Sequence, residues 1–273
     1  MELSGRLIYT NGGTYLYALY FPSLKQELIH ESPPGNISIN SISKMDANNV
    51  IFEHCDALRK PNCLIMAFDI NTRTLRTLRQ GRLPTYMSGS QSIFFYDLSE
   101  NTHEEWLLIA NRKAINSPGK VAKAPMPKVL SNGLPYEIKT SVVEISPDEV
   151  VFIGEDQQLW MYQISQSRVV ATGIKNCLPR VWRNRTAQLI CYDWDSDELY
   201  QIDLQTKQKE QLSQLKRAHG LVYVPSKDML IFGLTSLHLM REEREDIFVY
   251  NFQDGKKSKV FSNAFTSSGV WVE

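Results

Sequence analysis

The 273-residue sequence predicts an all-β chain, a six-bladed β-propeller of four-stranded antiparallel blades, on three observations. First, six short apolar triplets recur: Leu7-Ile8-Tyr9, Val50-Ile51-Phe52, Ile93-Phe94-Phe95, Val150-Val151-Phe152, Leu189-Ile190-Cys191 and Leu230-Ile231-Phe232, with starts separated by 43, 43, 57, 39 and 41 residues. Second, each triplet is followed by another strand-like run and then by more polar sequence. Third, the first unit lacks a strand ahead of its triplet, while the chain ends in a spare one, Ser268-Gly269-Val270-Trp271-Val272.

The second runs are LYALYF from Leu16, LIMAFDI from Leu64, WLLIA from Trp106, LWMYQI from Leu159, LYQIDL from Leu199 and IFVYNF from Ile247. They are rich in the β-branched and aromatic residues that suit a pleated, half-buried surface. Polar segments follow, among them TLRTL from Thr74, RVVATG from Arg168, KQKEQL from Lys207 and KKSKVF from Lys256, introduced by turn residues as in DINTRT and NFQDGKK. These read as exposed outer strands. Innermost strands are expected at SINSIS from Ser38, LPTYM from Leu83, TSVVEI from Thr140, PRVWR from Pro179 and HGLVYV from His219. Pairing the C-terminal strand as the innermost strand of the N-terminal blade closes the ring and removes free sheet edges.

The resulting assignment is a single domain over residues 1–273: blade 1 from 5–31 plus 266–273, blade 2 from 36–81, blade 3 from 82–130, blade 4 from 135–176, blade 5 from 177–216 and blade 6 from 217–263. The widest spacing falls where Pro118, Gly119, Pro125, Pro127, Gly133 and Pro135 cluster, which reads as a blade edge plus a long connection. A β-sandwich with a second domain also accommodates many short strands, but gives no reason for the repeat.

Ile145-Ser146-Pro147-Asp148 followed by Val150-Val151-Phe152 is similar to the Ser-Pro-Asp-Gly-then-strand pattern of TolB-like six-bladed propellers. Over its whole length the chain resembles that class, with Glu149 where the pattern has glycine. Likeness to WD40 repeats holds only in the broad sense, because Trp194-Asp195 falls in a loop and no blade carries the Gly-His and Trp-Asp pair.

Thirty Lys+Arg balance thirty Asp+Glu, so nothing draws the whole molecule to nucleic acid. No apolar run reaches the ~18 residues of a membrane span, and the opening MELSGRLIYTNGG has no signal-peptide character. A cytoplasmic location is the default expectation, or a periplasmic or secreted one if a signal peptide was removed, with the chain monomeric by itself. Four cysteines are too few for a disulfide scaffold and none form Cys-x-x-Cys. Cys55 and Cys63 would face each other across a hairpin, as a disulfide in an oxidising environment or as two thiols otherwise.

The sequence lacks a nucleophile elbow, a phosphate loop and a His-Glu-x-x-His pair. Asp193-Trp194-Asp195-Ser196-Asp197-Glu198 alternates carboxylates but lacks the glycine and the distal glutamate of a calcium loop, so it reads as a solvated hairpin tip. No catalytic residue, metal or cofactor is therefore assigned. The entries to the innermost strands do carry cations: Arg82, Lys139, Arg180, and Arg217 with His219. Converging at a channel mouth, they would suit an anionic group, since guanidinium forks match carboxylate and phosphate; otherwise they pair with neighbouring acids or are solvated. The loops joining second to third strands are acidic. The longest, Leu234 to Asp246, combines Leu237, Leu239 and Met240 with charge and suits a partner, as does Trp194 at a loop tip, unless the leucines fold back over the blade edge. The expected function is a non-catalytic scaffold engaging a protein or peptide through its loop face. The alternative is a hydrolase, lactonase or cyclase acting on an anionic small molecule or sugar at the channel mouth, activities that propeller folds host.

Overall fold

Strands buried on both faces read as continuous apolar runs, whereas strands exposed at an edge read as polar ones. The fold is ordered by that contrast. The structure, a computed structural model, describes residues 3–10, 13–32, 37–56, 63–98, 105–123, 128–129, 135–136, 142–193, 195–196, 198–216, 218–236, 244–262 and 268–273.

Blade 1 contains β1 (Gly5–Thr10), β2 (Tyr15–Phe21) and β3 (Lys25–Glu31). Blade 2 is β4 (Ile37–Lys44), β5 (Asn49–Asp56), β6 (Cys63–Asp69) and β7 (Thr74–Gln80). Blade 3 is β8 (Arg82–Met87), β9 (Ser92–Leu98), β10 (Glu105–Asn111) and β11 (Gly119–Lys123). Two short strands, β12 (Lys128–Val129) and β13 (Pro135–Tyr136), pair with each other. Blade 4 is β14 (Val143–Ser146), β15 (Glu149–Ile153), β16 (Gln158–Gln163) and β17 (Arg168–Lys175). Blade 5 is β18 (Leu178–Arg183), β19 (Gln188–Asp193), β20 (Glu198–Asp203) and β21 (Lys209–Gln211). Blade 6 is β22 (Ala218–Val224), β23 (Met229–Ser236), β24 (Arg244–Asn251) and β25 (Lys256–Ser262). The last strand, β26 (Ser268–Val272), pairs antiparallel with β1 and completes blade 1, in the order β26-β1-β2-β3. The fold is thus an all-β six-bladed β-propeller closed by its C-terminal strand.

The apolar triplets are the buried centres of the second strands: Ile8, Ile51, Phe94, Val151, Ile190 and Leu230 are all fully buried. Outer strands are polar and exposed, and their Lys and Arg residues, such as Arg76 on β7 and Lys256, Lys257 and Lys259 on β25, protect edges that would otherwise template aggregation. Blade 5 has a shorter outer strand than KQKEQL suggests, because Lys207 takes a left-handed turn conformation and β21 starts only at Lys209.

The turns between third and fourth strands of blades 2 and 5 share one device. Asp69 Oδ1 accepts from the backbone N–H groups of Asn71 and Thr72, and Asp203 Oδ1 from those of Gln205 and Thr206. Each turn ends in a left-handed residue, Arg73 or Lys207, the geometry of a type I turn followed by a bulge.

Two units are distinguishable. Met1–Gln80 with Gln214–Glu273 carries blades 1, 2 and 6, and Gly81–Ser213 carries blades 3, 4 and 5. In the first, Leu7, Leu19, Val224, Ile231, Ile247 and Trp271 pack blade 1 against blade 6, and Ile8, Leu16, Ile39, Phe52 and Phe68 pack it against blade 2. In the second, Phe94, Leu107, Val150 and Phe152 join blades 3 and 4, and Val151, Ile153, Leu189 and Tyr200 join blades 4 and 5.

Candidate functional site

An alternating strand shows its side chains to two faces by turns; a bulge adds one or more residues and re-aims its neighbours. Five innermost strands carry such a shift in their pairing with the second strand: β4 between Asn40 and Ser43, β8 between Arg82 and Thr85, β14 between Glu144 and Ser146, β18 between Pro179 and Val181, and β22 between His219 and Val222. Ser41, Leu83 and Gly220 take left-handed backbone there.

The cationic residues expected at strand entries are placed by these bulges. Arg82 is the first residue of β8, opposite Tyr96, and flanks the bulge at Leu83. Arg180 is itself the bulge residue of β18, between Pro179 and Val181; its side chain is exposed and its guanidinium lies over the ring of Tyr192, 5.5 Å from the centroid. Arg82 and Arg180 belong to the same unit but to different blades. His219 pairs with Gly233 beside the bulge of β22, in the other unit. Lys139 and Arg217 lie outside the described residues.

The second-to-third strand ends are acidic as expected, but several of these acids are committed locally. Asp156 Oδ1 accepts from Trp160 Nε1 at 2.8 Å and from the Gln158 backbone N–H. Asp193 Oδ1 accepts from the backbone N–H groups of Asp195 and Ser196, and Asp195 Oδ2 accepts from Asn176 Nδ2 at 2.8 Å. Asp246 pairs with Lys259 at 2.7 Å. In blade 6 the ladder continues through Leu234↔Asp246, Thr235↔Glu245 and Ser236↔Arg244, so part of the expected loop is strand and the connection narrows to 237–243. Leu237, Leu239 and Met240 fall within it and, like Trp194, lie outside the described residues. Trp271 is buried against Phe21, with ring centroids 5.4 Å apart, and Trp160 and Trp182 flank the cores of blades 4 and 5.

Three features carry no signal in the sequence: the environment of Glu144, that of two histidines, and the Cys177–Cys191 disulfide. Glu144, on innermost strand β14, has its carboxyl pushed above the usual range by burial, opposed by a hydrogen bond from the Ser88 backbone. His30 and His54 are both held below the ordinary imidazole value, chiefly by burial; the His30 ring packs against Phe68 at a tilt of 47°, with centroids 5.4 Å apart, and His54 Nε2 meets Ser32 Oγ at 3.2 Å. All four cysteines are bonded. Cys55 and Cys63, directly opposite on β5 and β6, form the disulfide rather than two thiols, and Cys177 is joined to Cys191. The spacing of that second pair gave no hint, because the bulge at Arg180 lets Cys177, just ahead of β18, come within 5.0 Å (Cα to Cα) of Cys191.

No protein-family model matches the chain, and no curated protein matches it. Solved structures do. TolB from Acinetobacter baumannii superposes with a TM-score of 0.71 at 10% identity over 98% of this chain, which spans 66% of that protein's length. A candidate TolB from Agrobacterium tumefaciens gives 0.62 at 8% identity, covering 98% of this chain and 92% of that one. A protein from Lactobacillus plantarum gives 0.57 at 12% identity, with both chains covered in full. Identities this low carry the fold alone, and the fold they carry is the TolB-like six-bladed β-propeller.

Proposed function

We propose that the chain is a binding module whose blades present their loop-bearing ends to a protein or peptide partner. The observation that supports this most is an asymmetry within the blades. At one end the joins carry side-chain caps, as at Asp46, Asp69 and Asp203. The other end mixes capped turns, at Asp156 and Asp193, with the connections 57–62, 99–104, 124–142 and 237–243, an uneven set of loops of the kind on which a rigid repeat scaffold carries recognition. The likeness to TolB adds an analogy of architecture only.

The test is affinity capture with the full chain, followed by cross-linking to map the contact. One variant alters the 237–243 connection (Leu237→Ser, Leu239→Ser, Met240→Ser), and a control alters the opposite turn of blade 2 (Arg73→Ser). Loss of the captured protein in the first variant and its retention in the second is the expected result. The reverse pattern, or cross-links confined to the capped-turn ends, overturns the reading.

A further inference from the structure

Blade 2 brings together three side chains whose chemistry its β-structure does not require. Glu53 and Cys55 stand two residues apart on β5 and so share one face of the sheet; Cys63 is directly opposite Cys55 on β6. The Glu53 carboxylate, Cys55 Sγ and Cys63 Sγ each offer one ligand atom, all within 4.8 Å of one another. Glu53 is only 2% exposed, unusual for a carboxylate, and Cys63 is buried, while Cys55 keeps partial access to solvent.

One distance here does not suit the disulfide. Cys55 Sγ lies 2.8 Å from Glu53 Oε1, the separation of a hydrogen bond, yet a bonded sulfur has no proton to donate. Once the sulfurs are reduced, the contact becomes a thiol donating to a carboxylate. Deprotonation would then place two thiolates beside that carboxylate, an arrangement that a dication stabilises. Two thiolates and one carboxylate form a ligand set for a soft to borderline cation.

We propose that Glu53, Cys55 and Cys63 form a site for one thiophilic divalent cation of the Zn²⁺ class, mutually exclusive with the Cys55–Cys63 disulfide. A dithiol reductant opens the site: the protein S–S bond breaks, the reductant closes its own disulfide, and its two electrons and two protons end on Cys55 and Cys63. Cation binding then releases both protons. Reoxidation by a disulfide of the same class reverses the exchange and expels the cation. Because Cys177 and Cys191 are fully buried, a mild reductant reaches Cys55–Cys63 first.

The experiment titrates Co²⁺, then Zn²⁺, into the full chain after mild dithiol treatment and anaerobic desalting, beside the untreated oxidised protein. The reduced wild type is expected to bind one Co²⁺ with thiolate-to-cobalt charge-transfer absorption that Zn²⁺ abolishes, while the oxidised protein shows none. Cys63→Ser is expected to lose the absorption, and Glu53→Gln to keep it while binding about tenfold or more weakly. Far-ultraviolet circular dichroism checks that each variant folds, and the oxidised-against-reduced comparison needs no substitution. Absence of the band in the reduced wild type, its persistence in Cys63→Ser, or unchanged affinity in a folded Glu53→Gln overturns the proposal.

Discussion

Ser268 Oγ accepts a hydrogen bond from the Ile42 backbone N–H at 2.9 Å, tying the closing strand β26 to the innermost strand of blade 2 across 226 residues of sequence. The same strand packs Trp271 against Phe21 and continues into buried Val272. Closure is thus built of core packing as well as ladder hydrogen bonds. Trp271→Ala is expected to cost about 3–5 kcal/mol, the range for emptying a buried aromatic site, and Trp271→Phe much less. Urea unfolding followed by far-ultraviolet circular dichroism measures both; equal stability of Trp271→Ala and the wild type would show that the closing strand contributes nothing.

Gly5 opens the strand that receives β26, with φ at +146°, and a Cβ there would sit 2.6 Å from Trp271 Cζ2 and 2.8 Å from the Val272 carbonyl oxygen. The first contact is with a ring held in the core and the second with backbone, so neither yields cheaply. Gly5→Ala should destabilise the protein in the same assay and loosen the Trp271 environment, read as a red-shifted tryptophan emission. An unshifted spectrum with unchanged stability would contradict that geometry.

His30 and His54 both have pKa values below the ordinary imidazole value, with Asp56 partly offsetting the effect of burial on His54. The unfolded chain therefore takes up protons at a higher pH than the folded one. Their stabilising contribution is full above the unfolded value of about 6.5 and is lost as pH falls from there through the lower folded values. The urea midpoint should drop between about pH 7.5 and pH 5, and His30→Phe, which keeps an aromatic ring against Phe68, should flatten the drop. An undiminished pH dependence in that variant would place its origin elsewhere.

The capped turns carry a signature of the same direction in a lower pH window. Asp69 and Asp203 have lowered carboxyl pKa values, each chiefly through a backbone hydrogen bond, from Thr72 and Thr206 respectively. For a depressed carboxyl the contribution stands above the unfolded value and disappears as pH falls through the folded one, so it is present at neutral pH and its pH dependence shows only in acid, below about pH 4. Asp69→Asn, which keeps an acceptor oxygen, should stay nearer the wild-type thermal midpoint than Asp69→Ala; equal midpoints for the two would remove the cap from the account.

How far the sequence foretold all this follows from what each feature depends on. The blades were legible because second strands buried on both faces, such as Val150-Val151-Phe152, leave contiguous apolar runs, and because Trp271 had no other place in the repeat. Bulges leave no such trace: period-two alternation places Arg180 on a strand but cannot show that the register shifts there, between Pro179 and Val181. The clustering of Glu53 with Cys55 and Cys63 required a register, Cys55↔Cys63, that the hairpin suggested only for the cysteines. Tyr192 beneath Arg180 was invisible for the same reason, since the contact crosses two strands joined through a bulge.

That bulge also brings Cys177 to Cys191, closing a 14-residue separation in the core of blades 4 and 5, where both residues are fully buried and pack with Val151, Leu178 and Leu189. Cross-linking a loop of this length restricts the unfolded chain by an amount corresponding to about 2–4 kcal/mol. A Cys177→Ala, Cys191→Ala double variant should lose stability of that order, plus a smaller packing loss from the missing sulfurs. Under graded reduction of the wild type, thiol labelling with mass spectrometry should find Cys55 and Cys63 modified well before Cys177 and Cys191, because the latter pair is released only when blade 5 opens. Simultaneous labelling of both pairs under native conditions would mean that the blade 4 and blade 5 core opens as readily as the hairpin of blade 2.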